Sequence, residues 1–390
     1  MRGSPSMQEP QPQGKVIVQV GVRLDPSSGG TYTCANNFRI AINELGMRSE
    51  VISVSARTDG NFADILCRPT PIPMSGMFGW CRGEELRKLH RAVESADSIL
   101  IHGLYFHAAS VAAELARKRG IPAIVILHGG LDPYVFNYRS VRKRIWLRMH
   151  RDALFDRSRV VCASRGEFRK AGAFVSPENL RVLGWPVQAH AVRDKTAARA
   201  EIRRKHGISP VAEVVMFCGR IHSIKRPFET VSAFLRARLP NWVLVVIGPA
   251  EDRGEADRLR AMADASGGRC FYAGSVYGPD LSTYYCGADA FVSFSRKENF
   301  GYSIVEAAGF GLPVVVTSEV DLSDDIAEWG CGLVVRDTSS QGLAQAFGIL
   351  HEIDPSQRSA MGERGKAWVD QCFSFDRFRS GVADLVRAAR

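Results

Sequence analysis

The 390-residue sequence lacks several things, and each absence removes a class of protein. It has no apolar run of about 18 residues or more, which argues against a membrane-spanning helix. None of its nine cysteines, at 34, 67, 81, 162, 218, 270, 286, 331 and 372, stands in a C-x-x-C pair. An odd, scattered set fits reduced and mostly buried thiols rather than a disulfide frame or a zinc site. Internal repeats, a G-x-G-x-x-G fingerprint and a D-x-D metal motif in a suitable loop are all missing. Acid is short as well. Forty-one Asp and Glu against 51 Lys and Arg leave a formal charge of +10, which permits nucleic acid, anionic lipid or an anionic substrate without choosing among them.

Hydrophobic residues make up 45% of the chain, ample for two cores, and its length favours two domains. Residues 1–14, rich in Pro, Gln and Ser, carry no apolar signal-peptide segment and read as a flexible leader, so a cytosolic location is expected. Apolar runs then alternate with helical stretches, the pattern of a doubly wound parallel sheet. Strands are expected at Lys15–Gly21, Glu50–Val54, Ser98–His102, Ala123–Leu127 and Arg159–Ser164, and the charged, Ala-rich stretch from Ala189 to Lys205 places a domain boundary near residue 190. The second half repeats the alternation from Glu213–Cys218 through Gly332–Val335, two helices follow within 341–372, and a last helix is expected from Phe375.

Several loops between strand and helix carry candidate binding groups. Gly29-Gly30, after the first strand, permits close approach of backbone to a phosphate, or is simply a tight loop. His128 ends a strand and precedes two glycines, a position as open to a structural histidine as to a functional one; Asp25 and Asp132 lie in similar loops. Arg220 and Lys225 share the loop after Glu213–Cys218, where an Arg fork and a Lys point charge can neutralise a pyrophosphate. The stretch 138–151, YRSVRKRIWLRMHR, alternates Arg142, Lys143, Arg144 and Arg148 with Trp146 and other apolar residues. It reads as a solvated helix or as a dock for an anionic membrane.

The densest signal runs from Ser293 to Ser318, SFSRKENFGYSIVEAAGFGLPVVVTS. A strand leads into a polar loop with Glu298, Gly301 turns the backbone, a small-residue helix carries Glu306 eight positions on, and a buried strand follows. In such a unit the loop lies at the carboxyl edge of the sheet, and the helix N-terminus favours an anion. The carboxylates can accept from ligand hydroxyls, or they are two solvated glutamates beside an ordinary βαβ unit.

The run E-N-F-G-Y-S-I-V-E followed by A-x-G-x-G-L-P-V-V resembles the E-x7-E signature of family-four glycosyltransferases. That resemblance implies the GT-B fold, α/β, with two Rossmann-like doubly wound domains facing a central cleft: 15–190 on the acceptor side, 191–373 binding a nucleotide sugar, and 374–390 a helix crossing back. It implies retaining, metal-independent transfer of a hexosyl group from a UDP- or GDP-linked sugar to a saccharide or lipid-linked acceptor, without a cofactor, in bacterial polysaccharide or glycolipid synthesis.

In this pattern Glu298 lies near the sugar hydroxyls and Glu306 on the ribose, and Arg220 and Lys225, matching G-R-x4-K with Gly219, meet the diphosphate. His128 contacts the donor sugar, and the Gly29-Gly30 amides pack on the donor. Phe300, Gly301, Tyr302 and Ser303 line the helix N-terminus beside the donor, and main chain near Val276 meets the base. A nucleotide-sugar epimerase of the same fold is the nearest alternative. A non-enzymatic module binding nucleotide or nucleic acid through its basic surface is less compatible with intact Glu298, Glu306, Arg220 and Lys225.

Overall fold

Short β-branched runs alternate with helices along the described residues, and the central strands they form are buried along most of their length. The structure is a computed structural model that describes residues 14–24, 29–55, 70–73, 80–137, 140–187 and 194–387. Asp25 and residues 1–13 of the expected leader lie outside the described residues. The chain divides into two compact units, one of Met1–Cys162, Gly172–Arg181 and Arg379–Arg390, the other of Ala163–Ala171 and Val182–Phe378.

In the first unit the order is β1 (Val16–Val22), α1 (Gly30–Glu44), β2 (Arg48–Ser55), β3 (Thr70–Pro73), α2 (Gly83–Glu94), β4 (Ser98–His102), α3 (His107–Arg119), β5 (Ala123–Ile126), α4 (Ser140–Phe155) and β6 (Arg159–Cys162). The chain passes through α5 (Arg165–Ala171), part of the second unit, before β7 (Leu180–Val182). The strands form one sheet in the order β3-β2-β1-β4-β5-β6-β7. Register is parallel from β3 through β6, with Val18 opposite both Glu50 and Ile99. β4, SILIH, is buried at every position, as a parallel strand covered on both faces should be. The sequence did not suggest a strand at Thr70–Pro73, since two prolines in four residues argue against one; it lies at the edge of the sheet, where a missing N–H donor is tolerated.

The second unit runs α6 (Lys195–His206), β8 (Glu213–Cys218), α7 (Pro227–Ala237), β9 (Trp242–Ile247), α8 (Arg253–Asp264), β10 (Cys270–Gly274), α9 (Gly278–Gly287), β11 (Ala290–Ser293), α10 (Tyr302–Gly309), β12 (Val314–Thr317), α11 (Ser323–Trp329), β13 (Gly332–Val335), α12 (Ser340–Glu352) and α13 (Pro355–Cys372). Its sheet is parallel, in the order β10-β9-β8-β11-β12-β13. Phe347 of α12 meets Phe234 of α7 and Phe294 edge to face, at 5.2 and 5.4 Å, and the three rings centre one core of this unit. The last helix, α14 (Phe375–Arg387), begins in the second unit and ends in the first, where Arg379 pairs with Glu44 at 2.7 Å.

Both sheets reverse direction of winding at one point, between β1 and β4 in the first and between β8 and β11 in the second. At such a switch point the loops leaving adjacent strands diverge to opposite faces and open a crevice at the carboxyl edge. Beside the second crevice, Gly248 has φ 149°, and a Cβ there would lie 1.8 Å from the Gly219 carbonyl oxygen. The loop after β9 must therefore be glycine for the loop after β8 to lie where it does. Gly248→Ala is expected to destabilise the protein by more than about 2 kcal/mol, by overlap with backbone that cannot move aside. Urea unfolding checks this, and an unchanged midpoint would contradict it.

Candidate functional site

The loop leaving β8 brings its cation to the site through its own turn. Lys225 N donates to His222 O at 2.9 Å, and Arg226 holds a left-handed conformation, φ 56°, as it caps α7 with Pro227 at the first helical position. Arg226 is buried, its guanidinium donating to Thr338 O at 2.7 Å. The Lys225 side chain is thus delivered beside the loop leaving β11, where its ammonium contacts the Glu298 carboxylate. Both side chains keep about a fifth of their surface, 20% and 16%.

Glu298 is fixed through its backbone. It bridges to Val320, accepts from Asp321 N at 2.9 Å, and the neighbouring Arg296 N donates to Ile224 O at 2.8 Å, which ties the β8 and β11 loops together. Gly301 then caps α10 with φ 71°, and a Cβ there would lie 2.8 Å from both Glu298 Cγ and Ile304 Cδ1. Only glycine satisfies the angle and the space at once. Phe300 is buried with its ring against Phe373, Tyr302 and Trp185, at 5.3, 5.0 and 6.4 Å. Its ring is therefore core, and any ligand contact from Phe300 runs through main chain. Tyr302 and Ser303, half-buried, open the first turn of α10.

Glu306, one turn further, accepts from the Tyr285 hydroxyl at 2.9 Å. Tyr285 is buried, stacked on Phe310 at 5.4 Å, and burial together with Glu306 holds its phenol well above the usual range. Burial, with Glu306 nearby, also pushes the Cys218 thiol up to about 12. Tyr285 is therefore a fixed donor that aims the carboxylate. No spacing in the sequence marked Tyr285, because it comes from α9, before the β11–α10 unit.

Arg220 shares the Lys225 loop but is differently engaged. Its guanidinium is 63% exposed and pairs with Glu251 at 2.9 Å, with His222 at 4.0 Å from the same carboxylate. Glu251 was not singled out in the sequence, although its place just after β9 at the carboxyl edge could have marked it. Val276 lies half-buried in the loop between β10 and α9. A buried carboxylate, Glu167, accepts from Ala163 N at 2.6 Å and caps α5, and the Asn299 amide, oriented to donate, reaches both its oxygens at 3.0 and 3.2 Å.

In the first unit Gly29 caps α1 with φ 64°, so Gly29-Gly30 opens a helix at the carboxyl edge beside the switch point. His128 follows β5 with φ 49°, in the left-handed region that a histidine enters at some cost. Its Nε2 lies 3.1 Å from His102 Nδ1, and His102 Nε2 lies 2.8 Å from Gln19 Oε1. Burial lowers both imidazoles, His128 to about 4 and His102 well below its ordinary value, so both stay neutral near pH 7. Asp132 accepts from Tyr134 N at 2.7 Å and serves the turn after His128.

From Ser140 the basic stretch forms α4, and Tyr138 and Arg139 lie outside the described residues. Arg142, Arg144 and Arg148 are exposed, as are Val141, Ile145 and Met149 at 66%, 53% and 71%. Trp146 corrects the expectation of a surface residue: it is 5% exposed, and its indole donates to Leu104 O at 3.1 Å because the helix turns that face into the unit. Lys143 is also drawn in, donating to Val135 O at 2.7 Å.

Two family models match the chain, "Glycosyl transferase 4-like domain" over residues 29–186 and "Glycosyl transferases group 1" over 198–368. The chain belongs to the family-four glycosyltransferases. The family relatives include a D-inositol 3-phosphate glycosyltransferase of Pseudarthrobacter chlorophenolicus, 26% identical over 77% of this chain and 74% of its own. A GDP-mannose:cellobiosyl-diphosphopolyprenol alpha-mannosyltransferase of Xanthomonas campestris is 28% identical over 66% of each chain. Among solved structures, Anabaena HepE in complex with UDP aligns with TM-score 0.77 at 18% identity, covering 95% of this chain and 99% of that one. A sucrose-phosphate synthase from Thermosynechococcus elongatus aligns with TM-score 0.73 at 20% identity, covering 96% and 98%. The glycosyltransferase therefore has the GT-B fold, and no helix among its described residues is long and apolar enough to cross a membrane.

Proposed function

We propose that this glycosyltransferase moves a hexosyl group, with retention, from a nucleotide-diphosphate sugar to a hydroxyl of a saccharide or lipid-linked acceptor. The observation that carries the reading is the Lys225 ammonium held against Glu298 at the switch point of the second sheet, beside the N-terminus of α10. A diphosphate at this place meets a cation and the positive end of a helix, and Glu298, released from its lysine, can accept from sugar hydroxyls. Arg220 joins them by exchanging Glu251 for a phosphate, which its exposure allows. Glu306, aimed by Tyr285, takes the ribose hydroxyls. His128, neutral, hydrogen-bonds the sugar, and the Gly29-Gly30 turn brings backbone amides to the donor.

In the reaction so proposed, the bond from the anomeric carbon to the leaving phosphate oxygen breaks, and a bond to the acceptor oxygen forms on the same face. The acceptor proton passes to the departing phosphate oxygen. Lys225 and Arg220 stabilise charge as it develops on the nucleoside diphosphate, the role a metal fills elsewhere. Support for a lipid-linked acceptor comes from the Xanthomonas relative, whose name specifies a diphosphopolyprenol substrate. Polysaccharide or glycolipid synthesis at the cytoplasmic face of a membrane is the setting that fits.

Donor binding is tested by thermal shift with UDP, GDP, ADP, dTDP and their sugar conjugates, because a ligand of the native state alone raises its stability. One base is expected to dominate, and Glu306→Gln should weaken that ligand by tenfold to a hundredfold, the worth of a charge-assisted hydrogen bond of about 1.5–3 kcal/mol. No shift with any nucleotide, or an unchanged affinity in Glu306→Gln, would overturn the donor-site reading.

Exposed Val141, Ile145 and Met149 recur every fourth residue on α4, flanked by Arg142, Arg144 and Arg148, and this face supports peripheral docking on an anionic bilayer. Flotation with phosphatidylglycerol vesicles should recover the protein at low salt, and the triple change Val141→Ser, Ile145→Ser, Met149→Ser should release it. Equal flotation of the triple variant, or none of the parent, would contradict this.

A further inference from the structure

The cluster behind His128 has more chemistry than a sugar contact uses. Cys34 on α1, His102 at the end of β4 and His128 after β5 each present one ligand atom, and these atoms all lie within 4.8 Å of one another. Cys34 and His102 are buried and His128 is half-buried. The three come from separate elements, and no sequence spacing announces them. We infer that Cys34, His102 and His128 form a binding site for a thiophilic divalent cation of the zinc class.

The geometry argues for this in three steps. First, the imidazole nitrogens that face each other, His102 Nδ1 and His128 Nε2, are 3.1 Å apart. Two nitrogens bound tetrahedrally at about 2.0–2.1 Å lie about 3.3 Å apart, so the histidine pair already has the spacing of a metal edge. Second, the remaining nitrogen of His102 is engaged by Gln19 Oε1 at 2.8 Å, and the Gln19 amide donates to Ser49 Oγ at 2.9 Å. A histidine ligand characteristically gives its distal N–H to such an oxygen, which fixes the ring and leaves the facing nitrogen bare. Third, the thiol supplies the soft ligand, and closing the triangle from within 4.8 Å to about 3.5 Å from sulfur to nitrogen needs a movement of at most about 1.3 Å.

On binding, the Cys34 thiol releases its proton to solvent, and His128 moves its proton to Nδ1. One thiolate and two neutral imidazoles then hold the cation, with a fourth position open to water. The three ligands all belong to the first unit, and no step of transfer is routed through the cation. Its consequence does rest on the proposed function: a cation on Nε2 fixes the His128 N–H on Nδ1, the nitrogen turned away from His102, so metal loading alters how His128 meets the donor sugar and a chelator reverses the change.

The test is stoichiometric titration of the full-length protein with Zn2+, and with Co2+ as a spectroscopic probe. One ion per chain and a cobalt–thiolate charge-transfer band are expected, and Cys34→Ala and His102→Gln should each weaken binding at least tenfold. If Cys34→Ala does not fold, His102→Gln and the cobalt spectrum of the parent protein still decide. Absence of the thiolate band, no stoichiometric binding, or affinity unchanged in a folded variant would overturn the site. Because the readout is binding, a failure of the sugar-transfer reading would leave the metal result intact.

Discussion

The contact between Lys225 and Glu298 is the constraint on which the second unit's site depends. It joins the loops leaving β8 and β11, the two strands that flank the switch point, and it places a positive and a negative group at one carboxyl edge. An exposed pair of this kind is worth about 1 kcal/mol or less, whereas breaking a buried pair costs about 3–5 kcal/mol. With about a fifth of each side chain exposed, this pair lies between those limits, and in the proposed function it yields to a ligand carrying two phosphates. The surrounding backbone serves that balance. Gly248 and Gly301 remove side chains where Cβ atoms would collide, and bonds from Arg296 N and Asp321 N fix the main chain around Glu298.

The two units repeat one device. In each, parallel strands reverse their winding at a single point, and the strand ends, loops and helix starts at the carboxyl edge around it carry the groups with chemistry: Gly29, His102 and His128 in the first, Lys225, Glu298 and Glu306 in the second. They differ in electrostatic character. The second unit presents ions held in pairs, while the first presents two imidazoles that burial disfavours from charging, beside a buried thiol. A charged diphosphate suits the former, and a polar uncharged ligand or a soft cation suits the latter.

Much of this was legible in the sequence because its signals were local. Unbroken apolar runs such as Trp242–Ile247 mark buried parallel strands, and Gly301 between Glu298 and Glu306 marks the loop-to-helix turn. What the sequence concealed depends on partners brought from elsewhere. Tyr285 reaches Glu306 from α9, Glu251 reaches Arg220 from the loop after β9, and Cys34, His102 and His128 meet only when three elements are assembled. Trp146 shows the same limit at helix scale. Basic and apolar residues mixed along 138–151 indicate an amphipathic helix, but which apolar positions turn inward is settled by Leu104 and the neighbouring packing.

The most direct measurement is calorimetric comparison of nucleoside mono- and diphosphate binding in the parent protein and in Lys225→Ala. The expected result is that the parent prefers the diphosphate and that Lys225→Ala loses most of that preference, since the proposed function gives this lysine to the diphosphate's charge. A preference that survives intact in Lys225→Ala would place the diphosphate elsewhere and contradict the account.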